Sequence, residues 1–171
     1  MKYQKGLTLL ELLIAMTVVA ILAVFAQYMF GGNKLNCDNP NGRPSYTMRA
    51  KIANITGEIG AINIQAQRFE LNHGRYPTSL DELGITGDAA LDPWDRPYVF
   101  TDLTDINGVG KARKDHNLHP VNTYFDIYSL GPDGDTATPF TSTGGKDDIV
   151  MANDGQYFGP ACHYNGSGKN K

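Results

Sequence analysis

Lys5-Gly6-Leu7-Thr8-Leu9-Leu10-Glu11-Leu12-Leu13-Ile14 opens an apolar run that continues to Phe30. Between Leu7 and Phe30 the only charged residue is Glu11, and the other polar side chains are those of Thr8, Thr17 and Gln27. A helix rises about 1.5 Å per residue and a bilayer core takes about 20 apolar residues, so the run from Leu12 onward is long enough to span. No helix breaker intervenes before Gly31-Gly32. Lys2 and Lys5 ahead of the run set its start on the cytoplasmic side, which sends the remainder of the chain across the membrane. A secretory signal peptide cut after Val24-Phe25-Ala26 is the plain alternative, but the run exceeds the usual apolar stretch of about 7–15 residues and holds a carboxylate. Placing that carboxylate in a bilayer costs about 2.5–3.5 kcal/mol even on insertion scales, so Glu11 calls for a partner. A cut between Gly6 and Leu7 would put a new amino terminus one helical turn from Glu11, where the amine of a neighbouring subunit could neutralise it.

The rest of the 171-residue chain is of another kind. Mean hydropathy is −0.33 despite the apolar run, so the remainder is polar, rich in Asn, Asp, Gly and Tyr. With 15 basic against 18 acidic side chains the formal net charge is −3, which argues against a general grip on nucleic acid. Two cysteines cannot build a four-cysteine zinc site. Neither G-x-S-x-G, H-E-x-x-H, a Walker A loop nor a dinucleotide glycine pattern occurs, and the chain is read as a non-enzyme. His116 and His119 lie three apart and Cys162 adjoins His163, but neither pair brings a third group at motif spacing. The two histidines read as exposed members of a loop with Lys111, Arg113 and Lys114.

Gly31 to Pro44 is a cluster of turn formers without periodicity and reads as a loop. After a Ser45 cap, Met48, Ile52, Ile55, Ile59, Ile62, Ala66 and Phe69 recur at spacings of three and four, the stripe of a helix laid on a core and stopped at His73-Gly74. Gly57 and Gly60 each cost about 1 kcal/mol relative to Ala, so packing has to stabilise this helix. Ser79 and Glu82 have capping-box spacing for a short helix from Leu80 to Gly84. Leu91-Asp92-Pro93-Trp94-Asp95-Arg96-Pro97 is a turn feeding a strand, with Trp94 expected as a lid over the helix. Tyr124 to Leu130 alternates as a strand with one buried face does, and residues up to Met151 return to strand character. Two acidic turns, Gly131-Pro132-Asp133-Gly134-Asp135 and Lys146-Asp147-Asp148, flank the loop between them. Hard divalent cations take six to eight oxygen ligands, which two such turns can offer, although the spacing is not that of an EF-hand.

The segment from Lys5 to Ile14 resembles the processing site of type IV pilins and type II secretion pseudopilins, in which a prepilin peptidase cuts after the glycine. The stretches around Tyr76-Pro77-Thr78, Asp92-Pro93-Trp94 and Ser129-Leu130-Gly131-Pro132-Asp133-Gly134 are similar to the major pseudopilin class, with Asp95-Arg96 in place of a usual Gly-Asn. The resemblance implies an α+β pilin-like fold: a leader over 1–6, a hydrophobic membrane and filament-core helix over 7–32, and a head over 46–171; the loop over 33–45 is an insertion that departs from the family, in which the second helix continues the first directly. It implies cleavage between Gly6 and Leu7, N-methylation of Leu7, and a pairing role for Glu11 during assembly. It also implies calcium held by the Leu130 carbonyl and the Asp133 and Asp148 carboxylates, with Asp147 a further candidate. The implied partners are other copies of the chain in a helical homopolymer, minor pseudopilins, an inner-membrane assembly platform and the prepilin peptidase. The implied location is the inner membrane, single-pass, with the head in the periplasm. A surface type IV pilin, or a membrane-anchored exported binding protein or enzyme, are the alternative readings.

In an exported head, Cys37 and Cys162 face an oxidising compartment and can form one bridge; two free thiols or an intermolecular link are the other possibilities.

Overall fold

The computed structural model describes residues 8–30, 35, 37 and 44–166. The apolar run is one helix, α1 (Leu9–Phe30), and every side chain from Leu9 to Gln27 is exposed. That stretch is long and apolar enough to cross a membrane. A second helix, α2 (Tyr46–His73), starts where the Ser45 hydroxyl accepts the Met48 N–H at 3.2 Å. It ends at Gly74, whose left-handed backbone (φ +71°) turns its N–H onto the Glu70 carbonyl at 2.7 Å. The expected stripe faces inward: Met48, Ile55, Ile59, Ile62 and Ala66 are buried, and Ile52 packs at their edge.

Four short antiparallel strands follow, in the spatial order β1 (Val99–Asp102), β2 (Phe125–Ser129), β3 (Ile149–Ala152) and β4 (Tyr157–Pro160). β1 runs from Val99 opposite Tyr128 to Asp102 opposite Phe125, and β3 pairs Tyr128 with Val150 before turning back into β4. A four-residue helix, α3 (Ile106–Val109), lies in the connection from β1 to β2. The architecture is therefore α+β, a long apolar helix ahead of an amphipathic helix packed on a small antiparallel sheet.

One face of the sheet takes α2. Ile55, Ile59, Ile62 and Ala66 meet Phe125 and Ile127 of β2 and Ile149 and Met151 of β3, with Leu80, Ile85 and Tyr98 closing the sides. The alternate residues, Tyr128, Val150 and Ala152, meet Val121, Phe140, Tyr157, Ala161 and Tyr164 on the other face. This corrects the expectation of one buried face: all five residues of β2 and all four of β3 are buried. The polar loops on either side of β2 fold back over the sheet and cover it. Asp126, which reads as a solvent-facing position, is 1% exposed.

Two smaller expectations are refined. The segment after Pro77 forms a single 3₁₀ turn, Asp81–Leu83, closed by Gly84 at φ +72°. The Ser79–Glu82 capping box does not form; Glu82 instead accepts the Thr78 N–H at 2.9 Å and holds Arg75 at 2.8 Å. Trp94 does pack at the edge of the main core, and Lys51 of α2 crosses its ring at 4.9 Å while donating to the Pro93 carbonyl at 2.8 Å.

Candidate functional site

Gly6 and Leu7, the expected processing pair, lie outside the described residues, as does most of the 33–45 segment. Glu11 is described and is bound by its own helix end. Its Oε2 accepts the Thr8 N–H at 2.9 Å and the Thr8 hydroxyl at 2.8 Å, while Thr8 Oγ1 accepts the Glu11 N–H at 3.3 Å. Those are the reciprocal bonds of a capping box, which satisfies two free helix donors and sets a carboxylate against the positive end of the helix. The Thr-x-x-Glu spacing is visible in the sequence, and it gives Glu11 a partner three residues away on its own helix as well as the one expected from another subunit.

The two acidic turns do close on one another. Gly131 has φ +64°, and a Cβ built on it would lie 2.3 Å from the Asp147 carbonyl oxygen, so the two backbones touch where only glycine fits. The start of the loop is fixed from the Asp92 turn. Asp92 is 3% exposed and accepts the Trp94 N–H at 2.8 Å, the Arg96 N–H at 3.1 Å and the Ser129 hydroxyl at 2.5 Å. Arg96 then donates to the Gly131 carbonyl at 2.7 Å. Asp95, in place of the glycine usual in the resembled class, adopts the left-handed region at φ +60°, which a short carboxylate tolerates better than most side chains.

Within this frame the Leu130 carbonyl accepts the Gly134 N–H at 3.3 Å, and the exposed Asp133 accepts the Asp135 N–H at 2.9 Å. Asp147 is buried, and among the described residues its Oδ1 has no hydrogen-bond partner. Burial pushes its carboxyl up to about 6, and the neighbouring Asp133 carboxylate pushes the same way. Two carboxylates and a nearby backbone carbonyl are hard oxygen donors of the class calcium takes. Asp148 faces elsewhere: its Oδ2 is paired with the buried Arg113 guanidinium and accepts the Thr136 hydroxyl at 2.6 Å, and its Oδ1 is without a partner. Among the described residues no three His, Cys, Asp or Glu side chains form a ready metal cage.

Arg113 is the residue that sequence reading misplaced. Set between Lys111 and Lys114 it reads as a solvated charge, yet it is 2% exposed. His116, His119 and His163 are exposed, and His119 stands 3.9 Å from Asp115. Cys37 and Cys162 are joined in a disulfide with Cα atoms 5.7 Å apart, which ties the segment after α1 to the turn after β4.

Residues 1–26 match the family model described as the prokaryotic N-terminal methylation motif. The chain is 25% identical over 132 residues to the type II secretion system core protein G of Xanthomonas campestris pv. campestris, covering 77% of this chain and 80% of that one. It is likewise 25% identical over 137 residues to core protein G of Klebsiella pneumoniae, covering 78% and 89%. No solved structure matches. The chain thus carries the prokaryotic N-terminal methylation motif ahead of an α+β head, and over about three quarters of its length it is similar to core protein G of type II secretion systems.

Proposed function

We propose that this chain is a major pseudopilin subunit: stored in the inner membrane through α1 with its head in the periplasm, it polymerises into a short filament that helps drive folded proteins outward. The observation that carries this reading is the apolar helix exposed from Leu9 to Gln27, most of which lies within the methylation motif, combined with a similarity that covers 80% of core protein G. Among the described residues nothing covers the rod from Leu9 to Gln27, so it needs either lipid or other rods around it, and a helical polymer exchanges the first for the second. Glu11 sets register between subunits by exchanging its own Thr8 bonds for the amine of a neighbouring Leu7. The work is mechanical, and the partners are other copies of the chain, minor pseudopilins, the assembly platform and the prepilin peptidase.

Mass spectrometry of the mature protein is expected to give N-methyl-Leu7 as the first residue; an intact Met1, or cleavage after Ala26, refutes the reading. Deleting the gene is expected to stop exoprotein release and leave surface piliation intact, and the reverse pattern would make the chain a surface pilin. Replacing Glu11 with Ala leaves membrane insertion intact and lowers exoprotein release by at least tenfold.

The same reading assigns calcium to the head, with the Leu130 carbonyl and the carboxylates of Asp133 and Asp147 as ligands and Asp148 beside them. The partnerless, buried Asp147 Oδ1 supports it. Bound calcium would supply a fixed double charge between two acidic turns and thereby hold the loop in a shape that can pack in a filament. A ligand at a hundredfold excess over its dissociation constant raises stability by about 2.7 kcal/mol. Full-length protein in mild detergent is therefore expected to melt higher in calcium than in chelator, and equal melting temperatures overturn the assignment.

A further inference from the structure

A buried guanidinium persists only where carboxylates, carbonyls and ring faces replace its water. Arg113 has all three at its terminal nitrogens and planar face, while among the described residues its Nε has no hydrogen-bond partner. One terminal nitrogen, Nη2, pairs with Asp148 Oδ2 and lies 3.4 Å from the Gly145 carbonyl; the other, Nη1, donates to Thr136 Oγ1 at 2.6 Å. The guanidinium lies over Tyr128 at 4.5 Å and beside Phe140 at 5.4 Å. Its own N–H donates to Asp126 Oδ2 at 2.6 Å, and its carbonyl accepts the Val121 N–H at 3.0 Å, so the backbone that carries it is fixed as well. Thr136, Phe140, Gly145 and Asp148 span the loop between β2 and β3 from its first turn to its last, and all four meet this one side chain.

We propose that Arg113 is a built-in cation of the β2–β3 loop, a positioning residue that holds Asp148 and leaves Asp133 and Asp147 as the carboxylates a metal ion takes. Arg113 pairs with Asp148 and makes no bond to Asp133 or Asp147, so those two carboxylates remain for a cation. The loop thus keeps its outer frame through the guanidinium and closes its inner turn with metal. The metal half of this statement rests on the calcium reading above; the guanidinium half does not.

The test compares full-length protein in detergent with Arg113→Met, Asp147→Asn and the paired Arg113→Met/Asp148→Asn, which removes both charges together and conserves the net charge of the loop. In chelator, Arg113→Met strands Asp148 as a buried carboxylate and is expected to lower the melting temperature by about 10 °C or abolish folding. The paired variant is expected to regain at least half of that loss. A paired variant no more stable than Arg113→Met overturns the proposal. In calcium titrations by calorimetry the paired variant keeps its dissociation constant within about threefold of the unmutated chain, whereas Asp147→Asn weakens it by at least thirtyfold. A paired variant as weak as Asp147→Asn makes Asp148 a metal ligand and overturns the proposal. Where the unmutated chain binds no calcium, the loop reading fails by itself, and the recovery in chelator decides the role of Arg113.

Discussion

Gly131 is where the two sides of the acidic loop come closest, and replacing it with alanine separates two costs that usually arrive together. The first is conformational: a Cβ at φ +64° costs about 1–2 kcal/mol in the left-handed region. The second is steric, because the new Cβ would stand 2.3 Å from the Asp147 carbonyl oxygen and 2.8 Å from its carbon. Ordinary contact needs roughly 1 Å more than that, and the obstacle is backbone on a segment leading into a fully buried strand. A retreat of this size loosens the bond from Arg96 to the Gly131 carbonyl, and charge-assisted bonds contribute about 1.5–3 kcal/mol. The expected loss for Gly131→Ala is about 3–4 kcal/mol. Gly74→Ala supplies the control, since Gly74 has φ +71° and a Cβ there meets nothing within 4 Å, so only the conformational cost of about 1–2 kcal/mol applies. Urea unfolding of full-length protein in detergent can be followed through the fluorescence of Trp94, the only tryptophan, which Asp92 and Arg96 link to this loop. Equal losses for the two variants would refute the close approach of the two turns.

Other expectations follow from single features. Burial pushes the Asp126 carboxyl up to about 6 against the pull of the Arg113 N–H and Asn122, so between about pH 4 and 6 the folded chain holds a proton that the unfolded chain releases. Stability falls as pH rises through that window, by roughly 3 kcal/mol for this group, and Asp126→Asn flattens the profile by that amount; an unchanged slope refutes the assignment. The disulfide joins residues 125 apart, and in the chain-entropy account its reduction costs about 4–5 kcal/mol; thiol labelling of non-reduced protein that modifies both cysteines would contradict the bridge. Gly57 and Gly60 lie inside α2 with nothing within 4 Å of a built Cβ, so alanine at either raises stability of the unassembled subunit by about 0.5–1 kcal/mol in a thermal melt. A loss of secretion in those stabilised variants would assign that helix face to subunit packing.

What could be read from the chain without coordinates divides by the range of the forces involved. The two helices follow from local pattern: an uninterrupted apolar run for α1, and for α2 a three-and-four stripe between Ser45 and Gly74, both of which cap as their chemistry directs. The strands follow from alternation and the turns from Gly, Pro and Asp. The second core was not legible, because it is built from isolated residues, Val121, Phe140, Tyr157 and Tyr164, scattered through polar segments that show no period. Arg113 was hidden for the same reason, since nothing in Lys-Ala-Arg-Lys tells one cation from its neighbours until Asp148, Tyr128 and Phe140 are folded around it. The acidic turns were legible as a pair facing one loop. Their surroundings were not, because Asp147 and Asp148 are adjacent in sequence, yet Asp148 pairs with Arg113 and Asp147 neighbours Asp133.

The bridge from Cys37 to Cys162 has a mechanical meaning. On the function proposed above, a subunit drawn out of a membrane by its apolar rod would take the load at the end of α1, and the backbone would lead that load to Cys37 before it reaches α2. At the bridge the path forks: one branch continues along the chain into α2, and the other passes through sulfur to the turn behind β4. Tension therefore arrives at the two ends of the head at once, at the helix that covers one face of the sheet and at the far edge strand. A head gripped at both ends resists being peeled open from its helix side.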